Sequence, residues 1–277
     1  MLTPARIAGL YRDACLTELD ALKVGNVHAY AAGHRMEVAD FVRSAEVSAG
    51  GLAREGAGIG ARVLEGVAAT REAVGQNTNL GILLLCAPLA VAAERGVGLR
   101  QALDAITPED GRDVFAAIRL ASPGGLGRAS RYDVTAGEAE APPLAAAMAE
   151  AAPRDRIARA YVTGFEDIRA VGLPALAAAR AAGLDAAWTA SAVHLAYLSA
   201  FPDSHVLRKH GAAVAEQVRA QAAALRAGLD MAARPVAPLL ALDADLKGRA
   251  INPGTSADFT VATLFWQALA QDGARLT

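Results

Sequence analysis

The stretch Gly75-Gln76-Asn77-Thr78-Asn79-Leu80-Gly81, followed by the apolar run 82–93, decides the fold class. The run is apolar on nearly every side of a helix, which predicts a helix in the middle of the protein. Asn77 or Thr78 is a natural N-cap, because its side-chain oxygen can accept a backbone N–H of the first turn. A helix N-terminus beside short polar side chains suits a phosphate or a ribose hydroxyl. Simple capping of a core helix explains the same residues, and both interpretations stay open here.

Helical patterns continue on both sides of this central helix. Apolar residues recur at three- and four-residue steps through residues 4–22, and no convincing alternating stretch indicates a β-strand. Thr107-Pro108-Glu109-Asp110 is a strong helix start, and Thr255 and Asp258 have the spacing of a capping box. We therefore predict an all-α fold in which residues 1–277 form a single domain. Besides 4–22 and the central helix, helices are expected at 36–52, 59–73, 99–106, 109–121, 144–151, 154–164, 166–182, 186–200, 205–228, 238–249 and 256–271.

The composition excludes several classes of protein. The 277 residues are 53% hydrophobic but only 5% aromatic, so alanine, leucine and valine must pack helices closely. A formal net charge of −2 argues against nonspecific binding to nucleic acid or to a membrane surface. Cys15 and Cys86 lie in apolar helical patterns, typical of buried thiols in a reducing compartment. No signal-peptide pattern or bilayer-length apolar run occurs, so we expect a cytoplasmic protein. Alanine-rich helices are also compatible with a homodimer.

Polar, glycine-bearing breaks recur between the apolar helices, at residues 23–35, 75–81, 122–134, 202–211 and 251–258. In an all-α protein such breaks can meet at one end of the bundle and form a cleft. Their cations, carboxylates, histidines and amides suit a phosphorylated, ribose-bearing ligand with Mg²⁺. The glycines of the 122–127 break either let backbone N–H groups converge on an anion or form a plain connector. No serine lies in a G-x-S-x-G elbow, and no histidine spacing supports zinc.

Six motifs occur in order along the chain. They are Lys23-Val24-Gly25-Asn26-Val27-His28, Gln76-Asn77-Thr78-Asn79-Leu80-Gly81, Pro123-Gly124-Gly125-Leu126-Gly127, Phe201-Pro202-Asp203-Ser204, Arg208-Lys209-His210-Gly211 and Asn252-Pro253-Gly254-Thr255-Ser256-Ala257-Asp258. Together they resemble the triphosphoribosyl-dephospho-coenzyme A synthase family, over about residues 14–265. The resemblance implies an all-helical enzyme that transfers the triphosphoribosyl part of ATP to the ribose 2′-hydroxyl of dephospho-coenzyme A. Adenine would be released.

The resemblance also implies roles for particular residues. Displacement at the anomeric carbon of a ribose passes through a transition state that resembles an oxocarbenium ion. Asp203, Asp258 or Glu46 would act as the catalytic carboxylate, and Asp203 and Asp258 would hold Mg²⁺. ATP and the cofactor precursor would bind through the following residues: Lys23, Asn26, His28, His34, Asn77, Thr78, Asn79, Gly124, Gly125, Arg208, Lys209, His210 and Ser256.

Three positions depart from the pattern of the established synthases. Val24 stands where they have proline, Asn79-Leu80 where they have His-Lys, and Lys209-His210-Gly211 where they have an Arg-Gly-Gly turn. The motifs look more like a branch of the family from methanogens and from bacteria that oxidise one-carbon compounds, associated with methanopterin- or methanofuran-type cofactors. Two alternatives therefore stay open. One is another ATP-dependent step in building such a cofactor, and the other is a non-catalytic protein that binds a cofactor intermediate.

Overall fold

The protein is all-α, as predicted. The structure, a computed structural model, describes residues 1–28, 38–122 and 143–276, and these contain helices but no β-strand. A π-helical stretch, Ile168–Gly172, and a 3₁₀ turn, Met231–Ala233, accompany the α-helices. The α-helices are α1 Pro4–Asp20, α2 Val38–Leu52, α3 Ile59–Val74, α4 Leu80–Arg95, α5 Leu99–Asp104, α6 Pro108–Ala121, α7 Leu144–Ala151, α8 Arg156–Thr163, α9 Leu173–Ala181, α10 Ala186–Ala200, α11 Ser204–His210, α12 Ala212–Ala227, α13 Val236–Gly248 and α14 Gly254–Gln271.

The chain divides into two compact units. The first comprises Met1–Asp13, Asp40–Phe165 and Phe265–Thr277, and the second comprises Ala14–Ala39 and Glu166–Leu264. The expectation that residues 1–277 form a single domain stays a prediction. Among the described helices, none combines the length and the apolar character that crossing a membrane requires.

Helix α4 is buried in the first unit, as its sequence predicts. Every residue from Ile82 to Ala93 is buried. Pro88 lies inside the helix and has no N–H to donate to the carbonyl of Leu84, one turn earlier. The hydroxyl of Tyr161 on α8 donates to that carbonyl at 2.7 Å. This bond satisfies the acceptor that the proline leaves open and fixes α8 against the core helix.

Small residues let the helices of the first unit approach closely. A Cβ on Gly51 would lie 2.7 Å from the backbone nitrogen of Gly66, and a Cβ on Gly66 would lie 2.7 Å from Leu83. The contact at Gly51 is with backbone, so a larger residue there would force α2 and α3 apart, whereas at Gly66 the side chain of Leu83 would have to shift. Helix α6 begins within the predicted start 107–110, where Thr107 and Asp110 bond to each other's backbone N–H groups.

The second unit packs its apolar residues around α10 and the helices that follow. Its sequence predicts one helix over residues 205–228, but the structure divides it into α11 and α12, so that prediction is wrong. The division occurs at Gly211, whose φ of 85° favours glycine and ends α11. One cluster of buried apolar residues in this unit comprises Leu22, Val24, Trp188, Leu195, Leu198, Val206, Ala215, Val218, Ala222, Leu239, Leu246 and Ile251.

Candidate active site

The turn after α1 belongs to the second unit and brings polar residues into its interior. Gly25 has a φ of 77°, and a Cβ there would lie 2.8 Å from Pro253. Its backbone N–H donates to Oδ1 of Asp243 on α13 at 2.8 Å. Asn26 then donates from Nδ2 to Oδ1 of Asn252 at 2.8 Å. Two motifs of the sequence, residues 23–28 and 252–258, are therefore joined by a hydrogen bond between side chains.

Lys23 forms a buried ion pair in this turn. Its side chain is 1% exposed, and Nζ donates to Oε1 of Glu18 on α1 and, at 3.4 Å, to Oδ1 of Asn26. Burial lowers the pKa of Lys23 and raises the pKa of Glu18, while each charge opposes the shift of its partner. The negative charge of Asp258 also favours the protonated lysine. Lys23 is thus held in the interior by carboxylates.

His28 lies beside a second ion pair, formed by buried Asp243 and half-buried Lys247. Its Nε2 is 3.3 Å from Oδ1 of Asp243 and 3.3 Å from Nζ of Lys247. Lys247 also donates to Oδ2 of Asp243 at 3.0 Å, one turn away on α13. Burial alone would raise the pKa of Asp243, but hydrogen bonds from His28, Lys247 and the Gly25 amide together lower it. Asp243 is therefore the ionised acceptor that fixes both the Gly25 turn and the His28 ring.

His194 on α10 faces the same charged groups. It is 1% exposed, and its Nε2 is buried with no hydrogen-bond partner within the described part of the chain. Burial, followed by the charges of Lys23 and His28, lowers the pKa of His194 from 6.5 to about 3. The ring is therefore neutral at physiological pH.

These residues form what we call the Lys23 cluster. Carboxylates outnumber lysines in it, and Asp258 is half-buried whereas most other members are buried. The cluster places acid–base groups, amides and cations within one unit. Its members are Glu18, Lys23, Asn26, His28, His194, Asp243, Lys247, Asn252 and Asp258.

Asp203 has a position that its sequence motif does not reveal. It is 1% exposed, and its Oδ1 accepts the N–H groups of His205 and Val206 at 2.9 and 3.1 Å, which caps α11. Its Oδ2 accepts the backbone N–H and the hydroxyl of Ser256 at 2.7 and 2.8 Å. The predicted capping box of Thr255 and Asp258 is wrong, because α14 already begins at Gly254. The N–H of Ser256, in the first turn of α14, would have no partner in such a capping box, and Asp203 accepts it instead.

Three further predicted residues, Arg208, Lys209 and His210, form the last turn of α11. Lys209 is exposed, and Arg208 and His210 are half-buried. Cations in the last turn of a helix interact favourably with its dipole. This alone accounts for basic residues there, so their role in substrate binding stays a prediction.

The predicted residues of the 75–81 motif lie in the first unit. Asn79, not Asn77 or Thr78, occupies the N-cap position of α4, although Oδ1 of Asn77 accepts the N–H of Leu80 at 3.1 Å. The Thr78 hydroxyl bonds to that of Ser44. Asn79 is buried, and its Nδ2 donates to Ser48 and Thr70 at 3.1 and 3.0 Å. These contacts form a polar network that holds α2, α3 and α4 together.

Four predicted residues remain, namely Glu46, His34, Gly124 and Gly125. Glu46 lies on α2 of the first unit, exposed, with Arg43 3.7 Å away. His34, Gly124 and Gly125 lie outside the described residues. Over the three described ranges, no group of three or more His, Cys, Asp or Glu side chains is arranged to hold a metal ion. The predicted Mg²⁺ site at Asp203 and Asp258 stays a prediction.

Four members of the Lys23 cluster lie outside the six sequence motifs. Glu18 lies in an amphipathic helix, and His194 lies in an apolar one, so neither stands out. Asp243 and Lys247 have the i, i+4 spacing of a helical ion pair, which is a usable but common signal. Only the fold shows that these residues surround Lys23 and His28.

Comparisons with known proteins agree with this architecture. The family model for CitG, described as ATP:dephospho-CoA triphosphoribosyl transferase, matches residues 4–276. A crystal structure of a protein from Archaeoglobus fulgidus, provisionally named a triphosphoribosyl-dephospho-CoA synthase, superposes with a TM-score of 0.64 at 25% identity. The match covers 85% of this chain and 99% of that protein. No curated protein sequence matches.

The fold and the family match define an all-α transferase. The chain belongs to the CitG family of ATP:dephospho-CoA triphosphoribosyl transferases, which transfer a triphosphoribosyl group from ATP to dephospho-CoA. The resemblance noted in the sequence motifs is confirmed.

Proposed function

We propose that the Lys23 cluster is the site at which this chain transfers a triphosphoribosyl group from ATP to a hydroxyl of a dephospho-CoA-like cofactor precursor. One observation carries the proposal. Four residues predicted from the family motifs, Lys23, Asn26, His28 and Asp258, lie in one buried cluster with His194 and Asp243. A cluster of this kind fits an enzyme whose substrate brings charge and hydroxyl groups to the same place.

The charge balance of the cluster suits the ribose rather than the triphosphate. In the reaction the acceptor oxygen bonds to the anomeric carbon and loses its proton. The bond from that carbon to adenine breaks, and adenine leaves with the electron pair and takes up a proton. Positive charge develops on the ribose in the transition state, and fixed carboxylates stabilise it. Lys23 and Lys247 already face carboxylates, so we assign the triphosphate to the basic last turn of α11.

Asp258 is the better candidate for the catalytic carboxylate. Asp203 already accepts four hydrogen bonds, and an ionised carboxylate has about four acceptor sites. It therefore does not fit as a base or as a ligand of Mg²⁺. Asp258 is half-buried and close enough for its charge to act on Lys23. We propose that Asp258 accepts the proton of the acceptor hydroxyl, and that Mg²⁺ enters bound to the triphosphate.

A second candidate function is another ATP-dependent step in building a methanopterin- or methanofuran-type cofactor for one-carbon metabolism. It is favoured by Asn79, which stands where the established synthases have histidine before lysine. The buried amide of Asn79 donates to Ser48 and Thr70, and it carries no positive charge that could bind a phosphate at this position. A cytoplasmic location fits either function, because Cys15 and Cys86 are buried thiols.

The reaction products separate these candidates. With ATP, Mg²⁺ and dephospho-CoA, we expect free adenine and an acceptor whose mass grows by the triphosphoribosyl group, in equal amounts. Asp258→Asn should slow adenine release by about 10²-fold or more, because it removes a base. Asp245→Asn, on an exposed carboxylate of α13, is the matched control and should leave the rate unchanged. ADP or AMP without adenine favours the second candidate, and tight binding without any product favours a non-catalytic protein.

A further inference from the structure

His194 is an exception among the buried polar side chains of the Lys23 cluster. Buried polar atoms in native proteins nearly always have a hydrogen-bond partner. Lys23, Asn26, His28 and Asp243 follow this rule through the bonds described above. Nε2 of His194 is buried and has no such partner within residues 1–28, 38–122 and 143–276. Leaving a buried polar atom without a bond destabilises a protein, so an apolar residue would be the more stable choice for packing alone.

The surroundings of His194 indicate what kind of ligand group could form a hydrogen bond with its Nε2. Lys23 and His28 lie close enough to act on the ring electrostatically, and Asp243 opposes them. Lys23 already bonds to Glu18, and Asp243 already bonds to Lys247. A neutral imidazole among lysines that already face carboxylates matches a neutral polar group better than a phosphate. A hydroxyl can donate or accept, and it therefore fits either tautomer of the ring.

We propose that His194 is a substrate-binding residue whose Nε2 forms a hydrogen bond with a ribose hydroxyl of the bound nucleotide. The proposal rests on the proposed function, in which the cluster takes the ribose. Two ligands could supply the hydroxyl, namely ATP and dephospho-CoA. Because the ring is buried without ligand, nucleotide entry must open the packing around it, and equilibrium binding is a sharper readout than a rate.

Two variants separate the hydrogen bond from the shape of the side chain. His194→Leu removes the polar atom, whereas His194→Gln keeps an amide near the position of Nε2. Titration calorimetry would measure ATP, 2′-deoxy-ATP, 3′-deoxy-ATP and dephospho-CoA with each protein. If the hydroxyl belongs to ATP, we expect His194→Leu to bind ATP about tenfold more weakly than the wild type does. The deoxy analogue that lacks the contacted hydroxyl should bind His194→Leu and the wild type equally well. His194→Gln should recover part of the preference for ATP, and His194→Leu should melt no lower than the wild type.

A different pattern identifies the other nucleotide as the source of the hydroxyl. Weakened dephospho-CoA binding with unchanged ATP binding would assign the contact to the acceptor. Equal losses for ATP and both deoxy analogues, or no change for any ligand, would overturn the proposal. If His194→Leu does not fold, the comparison of His194→Gln with His194→Met decides in the same way. Adenine release by the wild type is measured separately, so wild-type turnover with unchanged discrimination refutes the role of His194 but leaves the proposed function standing.

Discussion

Replacing Lys23 with methionine should lower the free energy of unfolding by about 3–5 kcal/mol and abolish triphosphoribosyl transfer. Lys23 and Glu18 are both buried, and each stabilises the charged form of the other. The single variant leaves the Glu18 carboxylate in the interior without its cation, so the carboxylate must either take up a proton or remain charged at high cost. Urea denaturation, followed by circular dichroism, measures the change in stability.

The double variant separates the structural role of Lys23 from its role in the reaction. Glu18→Met with Lys23→Met removes both charges and fills a similar volume, which is often neutral for stability once both partners are gone. We therefore expect most of the lost stability to return, so that the double variant is much less destabilised than the sum of the two single variants. Transfer activity should not return, because the lysine is then still missing from the site.

An exposed ion pair provides the control for the Lys23 variants. Arg6 and Asp272 also form a close pair, but Arg6 is largely solvent-exposed. Arg6→Met should therefore leave both the denaturation midpoint and the activity nearly unchanged. A Lys23→Met protein as stable as the wild type, or a double variant with full activity, would contradict the account of this pair.

Replacing Asp203 with alanine should cost about 3 kcal/mol of unfolding free energy, the second large effect. The substitution leaves the N–H groups of His205, Val206 and Ser256 without the acceptor that now binds them. Asp203→Asn should disrupt only one of the two sets of bonds. Its remaining oxygen can still cap α11, whereas its amide NH₂ is a donor and cannot accept the N–H of Ser256. We expect an intermediate loss of stability for this variant.

Asp185 is the matched control for Asp203 within the same unit. It caps α10 by accepting the N–H of Trp188 at 2.9 Å, and its other oxygen pairs with exposed Arg234 at 2.8 Å. Asp185→Ala should cost only about 1 kcal/mol, the usual value for an N-cap. Thermal unfolding of the Asp203 and Asp185 variants measures which substitution lowers stability more. Equal losses at both positions would show that the contacts of Asp203 with Ser256 add nothing to stability.

The helices could be predicted from sequence because local signals determine them. The apolar run behind Asn79 gives a buried α4, and Thr107 with Asp110 gives the start of α6. Local signals fail where a contact comes from a distant part of the chain. Asp203 is an example, because its bonds to Ser256 join two motifs that are far apart in the sequence. The break within residues 205–228 has a different origin, since Gly211 permits a left-handed φ but its presence alone does not require one.

The candidate site could be predicted only in part, for the same physical reason. Lys23, Asn26 and His28 stand in one short polar segment and are visible without a fold. Glu18 and His194 lie in helices whose patterns are typical of surface and core residues, and nothing local indicates that they surround Lys23. Burial lowers the pKa of both Lys23 and His194, and the carboxylate of Glu18 opposes this shift at Lys23. Burial of a charged residue depends on tertiary packing, which a local pattern does not contain.

The most direct test of the central claim is a crystal structure of the protein with ATP and Mg²⁺, without acceptor. The account predicts density for the ribose within hydrogen-bond distance of the Lys23 cluster, with Asp258 on the side where an acceptor oxygen can approach the anomeric carbon. Nucleotide bound only elsewhere, with Lys23, His28 and Asp258 keeping the contacts that they have without ligand, would contradict it.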